Sequence, residues 1–163
     1  MQGETPCDWR ETIMDALTHD TVRLTQHIDA SVADAWAAYA DSARRAKWSV
    51  PAGEKMVYDE ASFREGGRDR YRCGSPENLE FHAEVEYTKI LPQELIVYAE
   101  TVSNEGCPLA TGLVTWEFEP ESVGTLITIT SQIVSFVGTG MIDGNRYGHT
   151  KALEQLRRHL AEV

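Results

Sequence analysis

Only one long stretch of the chain carries an uninterrupted helical period, Asn145 to Val163, and it restricts the fold more than any other feature. At the helical advance per residue, Ile142, His149, Ala152, Leu153, Leu156, Leu160 and Val163 fall in one stripe, with Lys151, Glu154, Gln155 and Arg158 opposite. Such a helix needs a surface to cover, and most of what precedes it reads as strands. The stripe also changes along its length. Its later turns are aliphatic, whereas its first turns place Asn145, Arg146 and His149 on or beside the same face. Polar groups there are costly against a dry core and useful against a cavity.

The chain begins with Trp9, Ile13, Ala16 and Leu17 at helical spacing, a short amphipathic helix in an extension covering residues 1–20. Thr21 to Ile28 alternates Val22, Leu24, Gln26 and Ile28 against Arg23, Thr25 and His27, which predicts a half-buried strand with His27 in water. Ser31, with Asp34 three residues on, starts a helix lined by Val32, Trp36 and Tyr39, and a second short helix covers Ser42 to Trp48. Val50-Pro51-Ala52-Gly53 ends the helical pattern ahead of a strand near Lys55 to Asp59.

Gly66-Gly67 reads as a tight turn or bulge. The next strand sets Arg68, Arg70 and Arg72 against Asp69, Tyr71 and Cys73. The cationic face must be wet, so Asp69 points inward with Tyr71, where an acid needs a partner or a raised pKa. Phe81, Ala83, Val85 and Tyr87 alternate with His82, Glu84 and Glu86, and Leu95 to Val102 is apolar on both faces, leaving the side taken by Tyr98 open. Ser103 to Pro108 reads as a loop. Val114, Trp116 and Phe118 point inward, as do Ile127, Ile129, Ser131 and Ile133 after a turn at Glu121 to Gly124. The repeated alternation predicts an antiparallel sheet with one covered face, and the long helix is its natural cover. Residues 21–163 are therefore expected to form one α+β domain.

Composition narrows the functional classes. A net charge of −11 lacks the basic patches that displace counterions, which argues against binding nucleic acid or an anionic membrane, and no apolar run approaches the length of a membrane span. Cys7, Cys73 and Cys107 are far apart without metal-ligand spacing, so neither a metal site nor a disulfide framework is expected. Residues 1–20 lack the pattern of a signal peptide, which makes a reducing cytoplasm the expected compartment. No cofactor motif is present.

The order of elements resembles the helix-grip fold of the START-like, birch-pollen-allergen-like (SRPBCC) superfamily, in which a curved antiparallel sheet wraps a long C-terminal helix and two short helices follow the first strand. Ile28-Asp29-Ala30-Ser31 with Trp36, Lys47-Trp48-Ser49-Val50-Pro51, Phe63-Arg64-Glu65-Gly66-Gly67, Val85 to Pro92, Gly124 to Gln132 and Arg146-Tyr147-Gly148 resemble the family of homologues of the activator of heat-shock protein 90 ATPase. The resemblance implies a mainly apolar cavity between sheet and helix, not one activity. Where the family pattern carries a large aromatic after the glycine matching Gly148, this chain has His149. Two roles are open to it: a core histidine satisfied by a backbone carbonyl, or a cavity group that orients a polar end of a ligand.

Three functions follow as expectations. The first is non-enzymatic binding of a small hydrophobic or aromatic molecule, with Trp48, Met56, Tyr71, Trp116, Phe118 and Phe136 as walls and Asp69, Asn145, Arg146 and His149 as orienting groups. The second is a cyclase, dehydratase or hydrolase acting on a polyketide-like or aromatic substrate, with His149 and Asp69 as acid and base. The third is a chaperone-associated or dimerising interaction module, with a homodimer formed through the Trp9 to Leu17 helix.

Overall fold

The computed structural model describes Cys7 and residues 10–162. Trp9 and Val163, placed above on the first and last helices, lie outside the described residues. Seven strands, β1 (Thr18–Ile28), β2 (Lys55–Glu60), β3 (Arg68–Ser75), β4 (Asn78–Leu91), β5 (Leu95–Asn104), β6 (Cys107–Pro120) and β7 (Thr125–Ser135), form one antiparallel sheet in the order β1-β7-β6-β5-β4-β3-β2. Helix α1 (Arg10–Ala16) precedes it, α2 (Val32–Ala40) and α3 (Ser42–Trp48) carry the chain from β1 to the opposite edge at β2, and α4 (Gly140–Ala161) closes it. This is the curved helix-grip arrangement expected from the sequence. Register shifts at Tyr58/Glu60, Tyr87/Lys89 and Val102/Ser103 add local bend and twist to the ladder.

Local chemistry sets the helix boundaries. The Ser31 hydroxyl accepts from the Asp34 amide at 3.1 Å, and the Asp41 carboxylate accepts from the amides of Ala43 and Arg44, so one residue both ends α2 and starts α3. Gly67 sits where an added Cβ would lie 2.1 Å from the Ser62 carbonyl oxygen, a close backbone approach open only to glycine.

Three sequence expectations shift. The stretch Ser103 to Pro108 is a tight hairpin rather than a loop, because Glu105 and Gly106 both take positive φ, 51° and 78°, the geometry that lets β5 and β6 pair almost to their ends. Helix α4 begins at Gly140, five residues before Asn145. Glycines hid this first turn by breaking the propensity signal, while burial of Ile142 against Ala110 and Ile133 holds it. Finally, Cys7 and Cys107 form a disulfide with Cα atoms 5.4 Å apart, tying the N-terminal segment to the β5–β6 hairpin. Sequence separation of 100 residues concealed that pairing. No helix among the described residues is long and apolar enough to cross a membrane.

The core lies between the sheet and α2, α3 and the second half of α4. Ile96, Val114, Trp116, Phe118, Ile127 and Ile129 from the sheet meet Ala35, Ala38, Tyr39 and Trp48 from the short helices and Ala152, Leu153 and Leu156 from α4. Gln155, expected on the wet face of α4, instead donates to the carbonyls of Trp48 at 2.7 Å and Val50 at 2.5 Å. These bonds stitch α4 to the end of α3 and satisfy two part-buried backbone acceptors.

Candidate functional site

The sheet register explains why sheet and helix part company under the first half of α4. Across the inner face, Ile96 pairs with Trp116 and Trp116 with Ile129, a row of large side chains. Nearer the β5–β6 hairpin, Ala83 pairs with Val102 and Val102 with Ala110, while Val85, Glu100 and Gly112 succeed one another across β4, β5 and β6. Those rows are short. Above them α4 presents Gly144 and Gly148, at neither of which would an added Cβ meet another atom within 4 Å. Small residues on both sides leave a cavity of about 540 Å³, walled by Val102, Ala110, Val114, Phe81 and Met56 among others.

This outer cavity adjoins a second, inner chamber of about 80 Å³. Ser49, Met56, Tyr71, Glu100 and His149 border both, so they form the constriction between them. The inner walls are Tyr39, Trp48, Tyr58, Tyr87, Tyr98 and Trp116 around Arg45 and Asp69.

Arg45 and Asp69 form a buried ion pair at 2.9 Å, with 4% and 2% of their side chains exposed. The remaining lone pairs and protons are well supplied. Arg45 Nε donates to the Tyr58 hydroxyl at 2.7 Å and Nη1 to the Tyr87 hydroxyl at 3.0 Å; Asp69 accepts from Tyr87 and, through its other oxygen, from the Ser62 amide at 2.9 Å. The Tyr39 and Tyr58 rings lie 4.7 Å and 5.0 Å from the guanidinium carbon. Asp69 points inward as its strand pattern required, but its partners occupy it. It is a brace joining α3 to β3 and β4, not a free acid, so the pairing of Asp69 with His149 as acid and base gives way to a different acid.

That acid is Glu100. Its neighbour across the β5–β6 ladder is Gly112, which leaves space beside it, and one oxygen accepts from the Tyr71 hydroxyl at 2.9 Å. Burial pushes the carboxyl above the usual range against the pull of that hydrogen bond, and the charge of Asp69 pushes the same way. His149, on α4, borders the same two chambers. Burial holds its pKa down to about 4, so the ring is neutral at pH 7, and its Nδ1 lies 3.3 Å from Asn145 Oδ1. An amide oxygen only accepts, which places the ring proton on Nδ1 and leaves the Nε2 lone pair free. Cys73 also lines the outer cavity, as a thiol pushed up to about 12 by burial and then by Glu100 and Glu54, and so stays protonated.

Of the residues singled out from sequence, Met56, Tyr71, Asn145 and His149 border the outer cavity, and Trp48, Asp69 and Trp116 the inner chamber. Three lie elsewhere. Phe118 is buried against Trp36, ring centroids 5.2 Å apart, in the solid core. Phe136 follows the end of β7, where its amide bonds Leu109, and is not among the cavity walls. Arg146 is exposed and pairs with Asp20 on β1 at 3.7 Å, because one residue past Asn145 the helix has already turned away from the cavity.

A sequence profile of the family described as Activator of Hsp90 ATPase homolog 1-like protein matches residues 29–161. The chain belongs to that family. No curated protein sequence matches it. Among solved structures, an uncharacterized protein from Rhizobium leguminosarum is similar at 24% identity and a TM-score of 0.80, covering 91% of this chain and 98% of its own. The Mll3558 protein from Rhizobium loti is similar at 26% identity and a TM-score of 0.79, with 89% and 99% covered. DynU16, a protein in the dynemicin biosynthetic locus, shares the fold at 18% identity and a TM-score of 0.65 over 87% of this chain and 47% of that longer one.

Two site residues escaped the sequence reading although a signal for each was present. Glu100 has the same strand parity as Ile96 and Tyr98, so an inward Tyr98 carries the acid inward with it. Arg45 stands three residues before Trp48 on a short helix, hence on its buried face, but the neighbouring Arg44 and Lys47 made the segment look solvated.

Proposed function

We propose that the protein binds a small, largely apolar molecule between the sheet and α4, with its polar end at the constriction formed by Tyr71, Glu100 and His149. The observation that carries this reading is a largely apolar cavity of about 540 Å³ that shares walls with a smaller chamber built around Arg45 and Asp69. Its volume lies in the range of drug-sized ligand sites, and the few polar groups converge at one end rather than scattering over the walls. Family membership supports the same reading, since the fold commonly encloses hydrophobic ligands.

The test is a melting-temperature series with fused bicyclic aromatic ketones and phenols, run beside the variant Gly148→Leu. Gly148 lines the outer cavity, and the Cβ the substitution adds meets no other atom within 4 Å. Saturation at 100 times the dissociation constant is expected to stabilise the wild type by about 2.7 kcal/mol and to leave the variant unmoved. Equal shifts in both proteins, or none in either across the series, would sink the proposal.

A further inference from the structure

From the two groups that border both chambers, we infer that His149 and Glu100 act as a general base and a general acid on a bound ring ketone, shifting a proton between an α-carbon and the carbonyl oxygen. The inference rests on the binding reading above and adds a reaction to it. Both residues border the outer cavity and the inner chamber, so a molecule seated at their shared wall lies beside both. They come from different elements, β5 and α4, which sets them on separate walls.

Their hydrogen bonds leave each with one free function. Asn145 Oδ1 takes the Nδ1 proton of His149, so Nε2 offers only a lone pair. Tyr71 donates to Glu100 Oε2, leaving the other carboxyl oxygen for a substrate. Of the neighbouring groups, Asp69 is committed to Arg45, Tyr87 and the Ser62 amide, Cys73 stays a protonated thiol, and Glu54 borders the outer cavity but not the inner chamber. A base and an acid with no ionised nucleophile beside them suit proton transfer more than acyl or group transfer.

The step balances without a co-reactant. Nε2 takes the proton from a carbon next to the carbonyl, the C–H electron pair becomes the new C=C bond, and the carbonyl π electrons move to oxygen, which takes the Glu100 proton. The products are an enol, an imidazolium and a carboxylate. Reversal through the same carbon, or through another carbon conjugated with the enol, restores both side chains and yields exchange or isomerisation. The apolar setting that suppresses either charge alone favours their appearance as an opposite pair. The Trp116 ring, edge-on to His149 with centroids 6.4 Å apart, supplies a flat wall that suits a fused aromatic ring.

The experiment follows solvent deuterium entering the α-carbon of 2-tetralone by NMR, using the whole chain, with binding read from line broadening of the same compound. Exchange above the buffer rate is expected for wild type, and a loss on the order of 100-fold for both Glu100→Gln and His149→Gln with 2-tetralone still bound. Bound 2-tetralone exchanging no faster than in buffer overturns the acid–base inference and leaves the binding reading standing. Exchange that survives both substitutions overturns the assignment of these residues. Failure of 2-tetralone and every other compound in the melting series to bind overturns both readings.

Discussion

The two halves of α4 face the same sheet and do opposite things there. From Ala152 to Leu160 the helix lays Leu153 and Leu156, almost wholly buried, against the row of Trp116 and Ile129, and the space is filled. From Gly144 to His149, past the turn that Ile142 anchors on Ala110 and Ile133, it lays Gly144 and Gly148 over the outer cavity, and the space stays open. Each helical glycine costs about 1 kcal/mol relative to alanine, so the hollow half gives up helix stability and packing together. A chain selected only for stability has no use for that arrangement. The difference teaches that the cavity is built by residue size on both walls, with α4 serving as solid cover at one end and as a roof at the other.

The largest expected effect comes from the Arg45–Asp69 brace in the inner chamber. Arg45→Met leaves Asp69 buried and unpaired, and chemical denaturation is expected to show a loss of about 3–5 kcal/mol, with a smaller loss when Asp69→Leu is added. A double variant no more stable than the single one would mean the ion pair is not what the site costs. Next, Leu156→Ala in the solid half is expected to cost about 2–5 kcal/mol by the same measurement while leaving ligand-induced melting shifts unchanged, because Leu156 touches neither chamber. If those shifts disappeared in a still folded protein, the two halves would not be independent.

At the seam, His149 gives a pH-dependent test. Its folded pKa of about 4 lies below the ordinary 6.5, so the unfolded chain takes up a proton that the folded one refuses. Stability is therefore expected to fall as pH drops from 6.5 towards 4, by as much as about 3 kcal/mol, and His149→Phe is expected to remove that part of the loss. Parallel stability–pH curves for wild type and variant would place the imidazole in water. The smallest effect belongs to the hollow half: Gly148→Ala is expected to stabilise by up to about 1 kcal/mol through helix propensity alone, since its new methyl meets nothing. A loss of stability there would show that the roof is packed after all.

Much of the fold follows from period. Strand alternation placed Val114, Trp116, Ile127 and Ile129 inward, the Ser31 cap marked the start of α2, and the short helix from Ser42 to Trp48 followed it, because those signals are carried by neighbours in the chain. The candidate site was legible in part. The polar first turns of the terminal helix pointed to a cavity, and the cationic face of β3 sent Asp69 inward.

What the sequence by itself determined is the set of residues that face inward and the element that covers them. Which inward residues would be braced and which left free was decided only by tertiary structure. Arg45 meets Asp69 across 24 positions, Tyr71 meets Glu100 across 29, and Cys7 meets Cys107 across 100. Periodicity reports the direction of a side chain from its own backbone, but partnership depends on register between strands and on how a helix settles over them. Asp69 and Glu100 are both inward acids, and only the presence of Arg45 beside one and Gly112 beside the other sets them apart.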